Sequence, residues 1–200
     1  ITEAFMEAVE NDGDYDIINP RTLEPVKKMS ARKVFDHIVT LAWTNGEPGI
    51  IFLDRLNRDN PTPHIGEIEA TNPCGEQPLL PHESCNLGSI NLAKMIAGND
   101  VDWEKLRDVV SLATRFLDNV IEVNNYPIPE IDKMTGANGQ IGLGLMGWAD
   151  MLILLGIPYN SQEARDLGAK VMRAITEESR RTSQELGAER GSFPNFKGSI

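Results

Sequence analysis

Cysteine is scarce in this sequence, with two thiols in 200 residues. That excludes the densely bridged scaffold of small secreted proteins. Long apolar runs are missing as well. None approaches the roughly 20 residues that cross a bilayer, so no membrane-spanning helix is expected. The opening Ile1-Thr2-Glu3-Ala4 has neither the apolar stretch of a secretory signal nor the basic character of a transit peptide. Basic residues are few: 19 Lys and Arg stand against 30 Asp and Glu, a net charge of −11. A phosphodiester backbone demands clustered positive charge, so no nucleic-acid partner is expected. A single nucleotide remains allowed, because a few backbone amides can hold one phosphate. With so few thiols and no targeting signal, the expected setting is the reducing cytoplasm.

What remains is an ordinary globular composition, 40% hydrophobic and 24% charged. The length supports one good-sized core. No linker-like stretch divides the chain, and there is no internal repeat. It opens inside what reads as a helix and stops at Phe196-Lys197-Gly198-Ser199-Ile200 without a closing element. Residues 1–200 are therefore expected to form one partial α/β domain, truncated at both ends. The pattern is rich in helix, with few and short strand candidates.

Ser30 is placed to cap a helix with Val34, Phe35, Ile38, Val39 and Ala42 on one face, stopped by Asn45-Gly46. Residues 49–53 form a short apolar run, strand or buried turn. Residues 55–71 are polar, contain Pro61 and Pro63, and read as loop. Residues 84–92 suggest a short strand followed by a helical turn. Asp102 caps an amphipathic helix carrying Leu106, Val109, Val110, Phe116, Leu117 and Ile121, ended by Pro127 and Pro129. A glycine-rich stretch from Ile141 leads into an apolar helix near Leu155-Gly156, which should be buried. Asn160 and Glu163 are spaced as a capping box for a last long helix, running toward Gly187.

Two motifs invite chemistry and lack its context. Gly142-x-Gly144-x-x-Gly147 has dinucleotide-binding spacing. That fingerprint needs a strand before its first glycine and an acidic residue at a strand end about 20 residues on. Gly136-Ala137-Asn138-Gly139-Gln140 cannot be a buried strand, and Asp166 falls inside a helix. Close packing explains the glycines better. His64, Cys74, His82 and Cys85 could be read as zinc ligands, but only His82 and Cys85 have the usual close spacing. A Cys74–Cys85 disulfide is sterically conceivable. Without a secretory context it would serve redox chemistry rather than act as a staple.

The most informative stretch is Asn72-Pro73-Cys74-Gly75-Glu76-Gln77-Pro78-Leu79-Leu80-Pro81. Its prolines and glycine exclude a regular helix. The plain reading is a rigid turn with an incidental thiol. The chemical reading is a thiol and a carboxylate presented from one stiff loop, with the Asn72 amide able to donate and accept. A nucleophilic cysteine needs a base or cation to lower its pKa. An ionised Glu76 does the opposite, which favours a thiol used for something other than nucleophilic attack.

This string, followed by Glu83-Ser84-Cys85-Asn86-Leu87-Gly88-Ser89-Ile90-Asn91-Leu92, resembles the finger-loop region of adenosylcobalamin-dependent ribonucleotide reductases. Residues 49–63, 113–129, 141–150 and 189–194 extend the resemblance over nearly the whole chain. It implies an internal, helix-rich part of a ten-stranded α/β barrel with the radical loop threaded through its centre. It implies radical reduction of ribonucleotides to 2′-deoxyribonucleotides for DNA synthesis, by a vitamin B12-dependent ribonucleoside-diphosphate reductase with adenosylcobalamin as cofactor. Cys74 would carry the thiyl radical and take the 3′ hydrogen. Glu76 would be the base at the 3′ hydroxyl. Asn72 would bond the ribose hydroxyls or the developing carbonyl. Cys85, expected on an adjacent strand facing Cys74, would be one of two reducing thiols, its partner lying upstream of this chain. The implied partners are a ribonucleotide and a thioredoxin-like or other dithiol reductant, and a homodimer of the full-length enzyme is compatible. Metal ligands are not expected, and the piece alone should be inactive. Two rivals stay open: the same chemistry with a radical delivered by a separate metal-containing subunit, and a non-catalytic zinc or redox module on Cys74, His82 and Cys85.

Overall fold

A computed structural model describes residues 1–200. The chain gathers into two compact units: residues 1–80 with Ile200, and residues 81–199.

In the first unit, the Thr2 hydroxyl caps α1 (Glu3–Glu10) by accepting from the Phe5 amide at 3.2 Å. Two short strands, β1 (Asp14–Ile18) and β2 (Pro25–Ser30), pair antiparallel with a register shift at Ile17/Ile18. Tyr15 meets Phe5 edge to face, ring centroids 5.0 Å apart, the arrangement that ring quadrupoles favour. Phe5, Val9 and Ala31 form a small core beneath this hairpin. α2 (Ala31–Asn45) starts and stops where its sequence predicts. Ser30 accepts from the Lys33 amide, and Gly46 takes the left-handed conformation that ends the helix. Its apolar face is a different matter. Only Ala31 is buried, and Trp43 is 87% exposed.

Residues 49–53 are neither strand nor buried turn. The Ile51 carbonyl accepts from the Ile1 ammonium at 2.9 Å, and the Leu53 amide donates to the Ile1 carbonyl. Ile1 thus satisfies this backbone without a ladder, and Ile50 and Phe52 stay exposed. The expected loop from residue 55 begins instead inside a short helix, α3 (Leu53–Arg58). Two short strands close the unit, β3 (Ala70–Thr71) and β4 (Pro78–Leu79), paired antiparallel.

The second unit is built on a parallel pair. β5 (Asn86–Asn91) runs into a 3-10 turn at Leu92–Lys94, as expected. β6 (Ile96–Ala97) and β7 (Asp100–Val101) then make a small antiparallel pair. Asp102 caps α4 (Trp103–Val123), accepting from the Lys105 amide at 3.1 Å. The helix buries Leu106, Val110, Thr114, Leu117 and Ile121. That spacing of three and four residues is one helical face, but Phe116, assigned to it from sequence, is exposed. The mid-helix Thr114 hydroxyl satisfies itself on the Val110 carbonyl at 2.8 Å.

α5 (Pro129–Asn138) was not expected at all. Pro129 sits at its first position, where a missing N–H costs nothing. β8 (Ile141–Met146) then pairs with β5 in register, Asn86 opposite Ile141 and Asn91 opposite Met146. α6 (Trp148–Leu155) buries Met151 and Leu152, whereas Ile153 is 74% exposed. An apolar sequence all round therefore does not make this helix buried all round. α7 (Gln162–Arg190) is capped by Ser161, which accepts from the Ala164 amide at 3.0 Å, and not by Asn160. It continues past Gly187 and ends at Gly191. The core of the unit joins Ile90, Leu92, Leu106, Val110, Met151, Val171 and Ile175. Each such side chain contributes about 1.5–3 kcal/mol when fully buried. The strands form four two-stranded sheets, a mixed α/β pattern rich in helix.

Candidate active site

Asn72, Cys74 and Glu76 lie together on the loop that joins β3 to β4. Register pairs Ala70 with Leu79 and Thr71 with Pro78. The Glu69 amide donates to the Leu79 carbonyl at 3.2 Å, and the Asn72 amide to the Gln77 carbonyl at 3.2 Å. The loop is therefore the end of a hairpin and not a free excursion. Asn72 closes it twice more. Its carbonyl accepts from the Gly75 amide at 3.0 Å, and its side-chain Oδ1 accepts from the Gln77 amide at 3.0 Å. Gly75 has φ +84°, a left-handed conformation that costs an L side chain about 1–2 kcal/mol. That is the reason for a glycine between the thiol and the carboxylate.

Pro73, Cys74, Gly75 and Glu76 are all exposed. Cys74 is a thiol, and the Glu76 carboxylate makes no hydrogen bond or ion pair within the chain. The sequence left open whether the Asn72 side-chain amide donates or accepts. In the structure Oδ1 accepts from the Gln77 amide, with a second lone pair to spare, and the NH2 group can donate.

Cys85 belongs to the second unit. It is a thiol of intermediate burial in the extended stretch just before β5, one residue short of the strand on which it was expected. Polar contacts with α5 hold this stretch. The Ser84 and Thr135 hydroxyls share a hydrogen bond of 2.8 Å. Asn138 donates to Glu83 Oε1 at 2.7 Å and accepts from Asn195 at 2.7 Å. On the other side, Asn86 donates to the Leu117 carbonyl at 2.7 Å, while its own Oδ1 is buried without a partner.

The glycine motif is explained by packing. The second and third glycines lie beside the β5 strand. Gly144 passes close to the Gly88 carbonyl. Gly147 has φ +70°, and a Cβ there would stand 2.6 Å from Asn91 Oδ1. Asp166 sits in α7 and accepts from Gln162. Nothing here matches a dinucleotide site. No group of three or more His, Cys, Asp or Glu side chains is arranged to hold a metal, so the zinc reading has no geometric support. Two clefts lie in the second unit. One of about 470 Å³ is flanked by Asp100, Glu163, Asp166 and Lys170, and one of about 400 Å³ by Trp148, Tyr159 and Arg165. Neither contains Asn72, Cys74, Glu76 or Cys85.

Charge is concentrated between α4 and α7. Arg115 grips Glu189 with two hydrogen bonds of 2.9 and 2.7 Å, and Arg190 pairs with Asp118 at 2.6 Å. The hydrogen bond from Arg115 holds the Glu189 carboxyl below the usual range, as Arg181 does for Glu178. The Arg115–Glu189 and Arg190–Asp118 pairs join α4 to α7, and the Arg181–Glu178 pair lies within α7.

The family model described as "Ribonucleotide reductase, barrel domain" matches residues 1–200. A vitamin B12-dependent ribonucleoside-diphosphate reductase of Thermoplasma acidophilum is 52% identical over 200 residues, 100% of this chain and 26% of the relative. One from Mycobacterium tuberculosis is 52% identical over 196 residues, 98% of this chain and 28% of the relative. A ribonucleoside-diphosphate reductase subunit alpha of Chlamydia pneumoniae is 37% identical over 177 residues, 86% of this chain and 17% of the relative. The chain spans about a quarter of the length of the first two.

Proposed function

This chain belongs to the ribonucleotide reductase barrel-domain family, and on that premise we propose that it carries the radical loop of an enzyme reducing ribonucleotides to 2′-deoxyribonucleotides. The observation that carries the reading is the hairpin closed by Asn72. It presents one thiol and one carboxylate, both exposed, on either side of a left-handed glycine. In the complete enzyme this hairpin would be the finger at the centre of a ten-stranded barrel, to which residues 1–200 contribute part.

The Cys74 thiyl takes the hydrogen atom from C3′ of the ribose. Glu76 accepts the proton of the 3′ hydroxyl as general base. The Asn72 NH2 donates to a ribose oxygen, while Oδ1 accepts from the Gln77 amide. Cys85 and a second thiol supply two protons and two electrons: one proton leaves with the 2′ hydroxyl as water, and the other ends as the new hydrogen on C2′. The two thiols become a disulfide, and the Cys74 thiol returns its hydrogen to C3′. An external dithiol, thioredoxin-like or otherwise, then resets the pair by exchange, as a reducing cytosol allows. A thiyl needs no lowered pKa, so a carboxylate two residues away is no handicap.

Adenosylcobalamin, when bound, supplies the radical chemistry, and the protein supplies orientation. The exposed Cys74 thiol fits that role. The 52% identical relatives carry the B12-dependent name, which favours this cofactor over a radical from a separate subunit. Spectroscopic detection of cob(II)alamin during turnover would separate the two.

The decisive test is made in the complete enzyme with 3′-tritiated ribonucleotide. A serine O–H bond is too strong to carry the radical, so Cys74→Ser should abolish tritium release. Cys85→Ser should still release tritium but lose base from the stranded substrate radical. Tritium release by Cys74→Ser, or normal turnover of Cys85→Ser with external dithiol, would sink the assignment.

A further inference from the structure

Two asparagines hold the root of the thiol hairpin. Asn57, near the end of α3, donates from Nδ2 to the Ile68 carbonyl at 3.0 Å and to the Leu53 carbonyl at 3.2 Å. Its Oδ1 accepts from the Ile68 amide at 2.7 Å. A primary amide can give and take at once, so one side chain replaces both ladder bonds of a neighbouring strand. Asn60 repeats the device one turn on. It donates to the Gly66 carbonyl at 2.8 Å and accepts from the Thr62 amide at 2.9 Å, and it is only 2% exposed.

What Asn57 pins leads straight to the hairpin. Ile68 is buried, Glu69 bonds Leu79, and Ala70 begins β3. A shift of Ile68 therefore moves both strands that carry the Asn72 to Gln77 loop. We infer that Asn57 is a positioning residue for the reaction, setting where Cys74 and Asn72 stand without touching substrate. This rests on the reading of Cys74 as the radical residue. Hydrogen-atom transfer requires near-contact geometry, and a misplacement of about 1 Å can cost about a hundred-fold.

The test is made on the full-length enzyme. Asn57→Asp keeps the size and the acceptor for the Ile68 amide but cannot donate to the Ile68 carbonyl. It should lower kcat about ten-fold, with tritium release falling in step and KM within about two-fold. Asn57→Ala should lower kcat about a hundred-fold. In cofactor-free enzyme both variants should alkylate faster at Cys74 than the parent. A folded Asn57→Asp with parental kcat overturns the inference, and so does one that raises KM while kcat holds. If Asn57→Ala fails to fold, Asn57→Asp decides alone. Cys74→Ser in parallel separates the two levels. Tritium release surviving that change removes the radical assignment and this inference together. Tritium release lost in Cys74→Ser with full kcat in Asn57→Asp removes the positioning role alone.

Discussion

Between β3 and β4 the chain reverses on backbone hydrogen bonds and one to the Asn72 side chain, and the Asn57 and Asn60 side chains hold the stretch just before β3. Between β5 and β8 it is joined by burial, with α4, α6 and α7 supplying Leu106, Val110, Met151, Val171 and Ile175. The hairpin has little to bury beyond Ile68 and Leu80, and its tip is exposed. The difference follows from what each region must present. The exposed tip has no packed side chains to fix it, so its position is set by directional bonds. The parallel pair presents nothing at its centre and can be held by non-directional packing.

The largest effect should come from the packed region. Leu106 is fully buried, and Leu106→Ala should cost the second unit about 2–5 kcal/mol, read as lost amide protection along α4 and β5 in the full-length protein. A loss under about 1 kcal/mol would break the comparison, because packing would then not be what holds this region.

Glycine sharpens it next. Gly147→Ala meets Asn91 Oδ1 at 2.6 Å, and Asn91 in turn caps the Ala93 amide. Strain at positive φ adds to a displaced cap, together about 1–3 kcal/mol. Gly75→Ala has the same strain at φ +84° but nothing within 4 Å of the added carbon, so about 1–2 kcal/mol is expected. Exchange of the Gly75 amide, bonded to Asn72, should report that loss locally. Equal costs at the two glycines would mean that packing does not distinguish the regions.

Much of the packed region was legible from local signals. Ser30, Asp102 and Gly46 mark helix ends because a cap is a bond within one turn. The face of α4 is legible because burial there repeats with the helical period. α5 was not, since Thr135 and Asn138, the residues it buries, are polar. Their partners Ser84, Glu83 and Asn195 are remote in sequence. The thiol loop was recognised from its string of residues, and its shape as a non-helical turn follows from proline and glycine. Its root was hidden. Asn57 and Asn60 read as ordinary loop polarity, and only the backbone of residues 62–68 reveals what they bond. The Asn72 bond to Gln77, which closes the loop, was equally out of reach.

Acid gives the smallest separation. The Glu178 and Glu189 carboxyls are held low by their arginine partners. Their stabilisation is complete above the ordinary glutamate value, about 4.3, and is lost as pH falls through the lower folded values. Protection along α4 and α7, corrected for intrinsic exchange, should therefore weaken below about pH 4. The uncharged asparagine clamps should not respond. Weakening of the Ile68 and Gln77 amides over the same range would show that charge, too, holds the hairpin.

The register of the parallel pair also sets an order of events in time. Ala70 meets Leu79 within one short stretch of chain, so the turn bearing Cys74 can close soon after it is made. Asn86 meets Ile141 only after α4 and α5 have been spun out between them. Closing so long a loop is slow compared with closing a hairpin. At about 5–20 residues per second of synthesis, the nascent chain holds Cys74 in a finished turn for seconds before the strand after Cys85 finds its neighbour.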